Sequence, residues 1–332
     1  MTDSTTMRAA ERDRYGPPQV VSVREVAKPA PKGDQILVRV LAASVNRADL
    51  DAMRPRWQFM RLFTGLRAPR LPGVGIDLAG VVEALGPEAT RFKVGDSVFA
   101  DLFPFGQAAF AEYVCVPENA FQTMPARMSF EEAATLPHSA VLAVQGLRDR
   151  RGRTPGPGNR VMIVGASGNV GPFAVQIAKA LGAHVTAVAS GPKLDFVRGL
   201  GADEVIDYTK VDYTRPGERY DWIVDVDAHH SALRWRDALR KGGTYVAMGG
   251  SGSWMVKTLV QGPAVTLATS KRMGLMLWWK PFHPPDVEKL KELIGAGQLK
   301  PVIDRQYPLA EVVDALEYVD QGRAIGKVVI TP

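Results

Sequence analysis

At 332 residues, 46% of them hydrophobic and 23% charged, the chain has the balance of a soluble protein with room for two domains and a sizeable core. Its net charge of +6 favours anionic ligands but is modest for this length, and a single cysteine, Cys115, excludes internal disulfides and any zinc site built on several thiolates. The opening MTDSTTMRAAERDRYG lacks the apolar segment of a secretory signal, and no run approaches the roughly 18 apolar residues of a membrane span, so a cytoplasmic protein is expected.

From residue 19 to about 125 short alternating runs, VVSVREV, QILVRVLAASV, AGVVEALG, DSVFADLF and AEYVCVP, are separated by Gly, Pro and Asp. That spacing predicts a compact all-β unit. The basic run LRDRRGR at 147–153 has no interleaved aromatics and reads as a solvated turn between domains rather than a nucleic-acid contact. From about 160 the rhythm becomes strand, helix, strand: RVMIVGAS, helical VGPFAVQIAKALG, HVTAVAS, helical KLDFVRGLG, EVIDY, YDWIVDVD, helical SALRWRDALRKGG and TYVAMGG. Repeated βα units of this length predict a doubly wound parallel sheet. The tail gives a helix (DVEKLKELIGAG), a strand (KPVIDRQY), a helix (LAEVVDALEYVDQG) and a strand (GKVVIT) that can complete the first unit. The expected divisions are 1–126, 127–270 and 271–332, the last contributing an edge strand at LMLWW before returning to the first domain.

In IVGASGNVGPFAV the small residues Ala166, Gly168 and Gly171 fall at the spacing of G-x-G-x-x-G, directly after a strand and at the start of a helix. In that context the motif has a mechanism: Gly168 lets the backbone approach a pyrophosphate, Gly171 packs helix on strand, and free N–H groups receive the phosphates. Pro172 sits in the first turn, where a missing N–H is harmless. Ala166, Ser167, Gly168, Asn169 and Val170 are therefore candidate cofactor contacts. An acid about 20 residues on would mark NAD, but HVTAVASGPK offers Ser190 and Lys193 instead, a hydroxyl and a cation suited to the 2′-phosphate of NADP. Lys193 either meets that phosphate or faces solvent, and Tyr208 either lies along the adenosine phosphate or caps its strand.

Together these residues resemble the zinc-free quinone oxidoreductase and enone reductase branch of the medium-chain dehydrogenase/reductase superfamily. The matching segments run nearly the length of the chain: AASVNRADLDAMR, LPGVGIDLAGVVEALG, RFKVGDSVF, FAEYVCVP, SFEEAATLP, the glycine stretch, LGADEVIDYTK, KPVIDRQYPL and GRAIGKVVITP. The resemblance implies a GroES-like β-barrel catalytic domain built from both chain ends, a Rossmann domain between them, and NADPH bound in the cleft. In zinc-dependent relatives the position of Asn46 is a metal-binding cysteine and those of Ile76 and Asp77 are a His-Glu pair, so the resemblance implies that the catalytic zinc has lost its ligands. It also implies that Asn46 lies near the nicotinamide, where its amide donates to a carbonyl oxygen or else ties a turn to neighbouring backbone. Asp49 is assigned to holding that loop, and Gly249 and Lys327 match positions near the cofactor.

Several positions depart from the family pattern. Asn169 stands where a third glycine is usual, and VDVDAHH at 224–230 replaces an apolar residue followed by glycine, setting Asp227 near the expected nicotinamide ribose. His229 and His230 with Asp225 and Asp227 invite a metal reading, but adjacent histidines in an extended loop point opposite ways, and no metal is expected. His138, apolar in relatives, either supplies a proton or serves the core.

Residues 53–72 mix Trp57, Phe59, Met60 and Phe63 with Arg54, Arg56, Arg61, Arg67 and Arg70. They read either as an apolar pocket with a basic mouth, for a hydrophobic or aromatic substrate with an anionic tail, or as a solvated helix. LMLWW, paired across a dimer axis in relatives, predicts a homodimer. The leading expectation is an NADPH-dependent reductase of quinones or activated alkenes that needs no zinc. The alternatives are a ketone or aldehyde reductase, and a non-reducing NADPH-binding or pathway protein on the same fold.

Overall fold

The computed structural model describes residues 5–55, 61–215, 217–250 and 252–332. The chain divides into two units, Met1–His138 with Pro301–Pro332, and Ser139–Lys300. Among the described residues no helix is long and apolar enough to cross a membrane.

The first unit carries β1 (Thr6–Arg12), β2 (Val21–Ala27), β3 (Gln35–Val45), α1 (Arg47–Met53), α2 (Arg61–Thr64), β4 (Asp77–Leu85), β5 (Ser97–Asp101), β6 (Tyr113–Pro117), β7 (Phe121–Thr123) and α3 (Phe130–Ala134). Long β3 is its spine. Register shifts after Leu37 and Val40 let it pair along its length with β4, while its first half also pairs with β6. Its second half pairs with a strand that arrives after the whole second unit, so this sheet is closed by sequence-distant segments. The core is aliphatic and aromatic, with Ile36, Val38, Phe110, Phe121, Val328 and Ile330 fully buried. The polar opening stretch is more ordered than its composition suggests: Thr6–Arg12 pairs antiparallel with β2, because Ala10 and Arg12 turn inward on alternate positions.

The second unit holds α4 (Ser139–Gly146), β8 (Arg160–Val164), α5 (Gly171–Ala180), β9 (His184–Ala189), α6 (Leu194–Gly199), β10 (Glu204–Asp207), β11 (Tyr220–Asp225), α7 (Ala232–Trp235), β12 (Leu239–Ala247), α8 (Gly252–Ala268), β13 (Arg272–Leu275) and α9 (Pro284–Gly295). The chain then returns to the first unit as β14 (Ile303–Pro308), α10 (Val312–Asp320) and β15 (Lys327–Thr331). The sheet of the second unit is wholly parallel with strand order β10-β9-β8-β11-β12-β13, so the order reverses between β8 and β11. In a doubly wound sheet that reversal marks the ligand crevice at the strands' carboxyl ends.

Two sequence expectations shift. SALRWRDALRKGG is helical only over Ala232–Trp235 and a short 3-10 turn, after which Leu239 begins β12; pairing with β11 and the left-handed Gly242, φ +80°, override helical propensity. The edge strand is Arg272–Leu275, not LMLWW. The following residues are tied to α4 instead, with Trp278 Nε1 donating to the Gln145 carbonyl at 3.4 Å and Lys280 N to Gln145 Oε1 at 3.0 Å.

The turn from β8 to α5 is built for a close approach. Gly165 is left-handed at φ +76°, and a Cβ on Gly171 would lie 2.3 Å from the Gly165 carbonyl oxygen and 2.5 Å from Ala166 backbone. A Cβ on Gly168 would meet only the Gly165 oxygen at 3.6 Å. Gly171→Ala should therefore lower stability by about 1–3 kcal/mol through backbone strain, whereas Gly168→Ala should leave the denaturation midpoint within error of wild type. Urea titrations of the two variants check this; equal losses would remove the distinction.

Candidate functional site

β15 meets β3 antiparallel with Val328 opposite Val45. That register sets Lys327 against Asn46, the residue that follows β3 and caps α1. Lys327 Nζ donates to Asn46 Oδ1 at 2.6 Å and lies 3.7 Å from Asp77 Oδ2. The Asn46 amide nitrogen donates to Asp77 Oδ2 at 2.9 Å and to the Ser44 carbonyl at 3.3 Å. Asp49, at the third position of α1, accepts the Asn46 backbone N–H at 2.7 Å, half of a capping box that fixes the helix start. Both ends of the Asn46 amide are thus committed, and the residue is 1% exposed. A substrate oxygen would receive one of its two N–H groups only by displacing Asp77 or the Ser44 carbonyl.

The network continues through His138, whose backbone N–H donates to Asp77 Oδ1 at 3.0 Å and whose Nδ1 lies 2.9 Å from Asp101 Oδ2. Asp101 is held in turn by the Phe103 N–H at 2.8 Å, and the Phe103 ring lies 6.0 Å from the imidazole. Asp49, Asp77 and Lys327 are fully buried; His138 retains 8% exposure. Desolvation pushes Asp49 up to about 7 and Asp77 up to about 6, the latter restrained by Lys327. Desolvation pulls the Lys327 ammonium down against the opposing pull of Asp77 and Asp49. Desolvation also lowers His138, but the charge and hydrogen bond of Asp101 outweigh it and the net shift is upward. Five ionisable groups, Asp49, Asp77, Asp101, His138 and Lys327, therefore bear on one another inside the first unit.

In the second unit Ala166–Val170 form the turn after β8, with Ala166 and Ser167 buried and Gly168 and Asn169 half-buried. Room above Gly168 and the packed Gly171 make this turn fit a dinucleotide pyrophosphate. Ser190 and Lys193 follow β9, and the Lys193 N–H donates to the Ser190 carbonyl at 2.9 Å. Tyr208, 52% exposed, follows β10, and Gly249 lies beyond β12, where a Cβ would be 2.7 Å from the Val226 carbonyl oxygen. All of these sit at the carboxyl ends of the parallel strands.

Sequence reasoning missed Asp207, which ends β10 opposite Ala189 and lies beside the Ser190–Lys193 turn. Its Oδ2 is 2.8 Å from where a Gly191 Cβ would stand. Its Oδ1 accepts Thr209 N at 3.0 Å and Thr209 Oγ1 at 2.6 Å, and Lys210 Nζ lies 3.6 Å from Oδ2. The signal was the Asp-x-Thr spacing of an Asx turn.

The VDVDAHH segment separates its polar groups. Asp225 ends β11 fully inside and accepts the Tyr245 hydroxyl at 2.8 Å, while burial pushes it up to about 7. Asp227 pairs outside with His229 Nε2 at 3.0 Å, and the His230 ring packs 5.4 Å from Tyr213. Among the described residues no group of three or more His, Cys, Asp or Glu is arranged to hold a metal. Of the 53–72 segment, Arg56, Trp57, Phe59 and Met60 lie outside the described residues, as does the side chain of Phe63. Met53 is core, Arg54 pairs with Asp320 at 2.5 Å, and Arg67 and Arg70 are exposed.

Residues 32–126 match the model of the alcohol dehydrogenase GroES-like domain, and residues 200–330 that of zinc-binding dehydrogenase. The chain is 33% identical to the mitochondrial NAD(P)H oxidoreductase RTN4IP1 of Mus musculus over 98% of its own length and 89% of the relative's. It is 34% identical to the chloroplastic quinone-oxidoreductase homolog of Spinacia oleracea, covering 93% of each. The quinone oxidoreductase from Coxiella burnetii superposes with a TM-score of 0.87 at 27% identity, over 98% of this chain and 99% of that one. With a GroES-like first unit, a parallel nucleotide-type sheet in the second and relatives of this similarity, the chain belongs to the quinone oxidoreductase branch of the medium-chain dehydrogenase/reductase superfamily.

Proposed function

We propose that the protein is an NADPH-dependent, zinc-independent reductase that transfers hydride to a quinone or to the C=C bond of an α,β-unsaturated carbonyl. The carrying observation is the buried ammonium of Lys327, 2.6 Å from Asn46 and 3.7 Å from Asp77. A resident cation already compensates the acids that would otherwise attract a metal, so polarisation falls to fixed protein charges. Bound NADPH supplies the hydride.

The chain's own residues divide the remaining work. Backbone N–H groups of Ala166–Val170 receive the pyrophosphate, with Gly168 allowing contact, and Gly249 keeps the neighbouring turn close. Ser190 and Lys193 hold the 2′-phosphate, and Tyr208 lies against the adenosine. The nearby acid, Asp207, gives Oδ1 to Thr209, while its buried Oδ2 has no hydrogen-bond partner and lies 3.6 Å from Lys210 Nζ. Asn46 and Asp49 fix the β3–α1 corner and tie it to Lys327, which supports reading Asn46 as an organiser rather than the direct donor. His138, 2.9 Å from Asp101, which raises its pKa, and 8% exposed, supplies a proton as the acceptor oxygen becomes anionic.

The same reading includes a homodimer formed along β13. In the described sheet that strand pairs only with β12, and beside it runs a groove of about 560 Å³ lined by residues of α8, β13 and the 149–151 turn. Leu259, Val260, Leu267 and Leu277 are 45%, 68%, 89% and 62% exposed. An open strand edge flanked by such apolar area suits a second copy.

Three outcomes test the proposal. NADPH should be preferred over NADH in kcat/KM by about tenfold or more, and Lys193→Ala should raise the KM for NADPH by about that factor without moving the KM for NADH. An NADH preference would reverse the cofactor assignment. Because Asp101 raises His138 above its ordinary 6.5, kcat should fall as pH rises through that raised value. His138→Asn should remove that alkaline limb; an unchanged pH profile would leave His138 a core residue. Light scattering should give twice the chain mass for wild type and a monomer for Leu267→Glu, and a wild-type monomer at all concentrations would exclude the dimer.

A further inference from the structure

β1 ends on Arg12, which is 4% exposed. Its Nε and Nη1 are buried without a hydrogen-bond partner, and no carboxylate lies within ion-pair distance among the described residues. Elsewhere this chain treats inward-facing arginines differently. Arg148 donates twice to Asp286, at 2.7 and 3.1 Å, and Arg160 reaches Glu204 at 2.9 Å. A guanidinium cannot shed its proton to escape the cost of burial, so one with unsatisfied donors favours an anion.

The surroundings of Arg12 are firm. Its backbone N–H donates to the Pro72 carbonyl at 3.0 Å, and Gly16 N to the Met53 carbonyl at 3.0 Å, fastening this corner to the last residue of α1. The Tyr15 hydroxyl donates to the Gly65 carbonyl at 2.9 Å and lies 2.7 Å from Thr64 Oγ1. Over that pinned ring sit two guanidinium carbons, that of Arg12 at 5.8 Å from the centroid and that of Arg61 at 4.9 Å. Arg61 Nε is also buried and without a partner. The carboxyl whose charge bears on Arg12 is Asp49 on α1, and burial pushes it up to about 7, so it offsets Arg12 only in part.

We propose that Arg12, with Arg61 beside it on the Tyr15 ring, is an anion subsite that receives a carboxylate carried by the substrate. The inference rests on the reductase reading and narrows its substrate class to quinones or enones bearing an acidic group. The subsite adjoins the helix that starts at Asn46, so the acid would anchor the molecule at one end and leave its unsaturated carbonyl for the buried network. Carboxylate geometry matches the arginine fork, and a charge-assisted pair adds orientation as well as affinity.

The probes are (E)-4-(3-oxobut-1-enyl)benzoate and its methyl ester, reduced with NADPH by the intact protein. Wild type should show a KM for the acid lower by about tenfold or more than for the ester. Arg12→Gln should erase that difference by raising the acid's KM alone, with kcat and the ester's KM little changed. Arg61→Gln, on the more open side, should raise the acid's KM several-fold and decides the matter if the Arg12 variant does not fold. Equal KM values in wild type, or variants that shift acid and ester alike, overturn the subsite while leaving the reductase reading intact. Calorimetry with the unreactive probe 4-phenylbutyrate separates the converse: binding lost in Arg12→Gln or Arg61→Gln, with neither compound reduced, keeps the subsite and discards the reading. No binding and no reduction overturns both.

Discussion

The contact on which the first unit turns is the bond from Lys327 to Asn46. A lysine with no exposed surface is stable only where its charge is met, and here it is met by an amide oxygen and by Asp77, itself pinned by Asn46 and the His138 backbone. Removing any one member strands the others in a medium that solvates them poorly. The network is a specification as much as a stabilising device. It fixes the corner between β3 and α1, the register of β15 on β3, and the side chain of Asp77 in one arrangement.

The same corner sets the three buried acids Asp49, Asp77 and Asp101 in the field of the Lys327 and His138 side chains. Asp49 and Asp77 are raised toward neutrality by burial, so the cluster holds fewer full charges at neutral pH than its formula suggests. Fixed dipoles held in one arrangement are the condition for stabilising developing charge without reorganisation.

Much of this was legible in the sequence. The change from period-two runs to βα units marked the two kinds of sheet, and the glycine spacing after VMIV located the turn at the reversal of strand order. Asn46, Asp49 and Lys327 could be singled out, but not their mutual contact, because 281 residues separate the partners and only the β15 register joins them. The opening strand was missed because its apolar face is short and includes an arginine, which composition reads as polar tail. Asp207 was missed because nucleotide choice was sought at the end of β9, whereas a parallel sheet brings the end of β10 alongside it. Both misses have one cause: local patterns report an element's own face, and the neighbour that completes it comes from elsewhere.

Because β15 follows the entire second unit in the chain, the first unit cannot close when its first 138 residues leave the ribosome. Until Lys327 is made, Asn46 and Asp77 face each other without their cation, and the β3 edge that β15 will occupy is open to other strands. The second unit, whose parallel sheet is continuous in sequence, has every segment it needs to fold in that interval. The order of synthesis thus completes the sequence of the second unit first, and leaves the assembly of the charged corner as a late event.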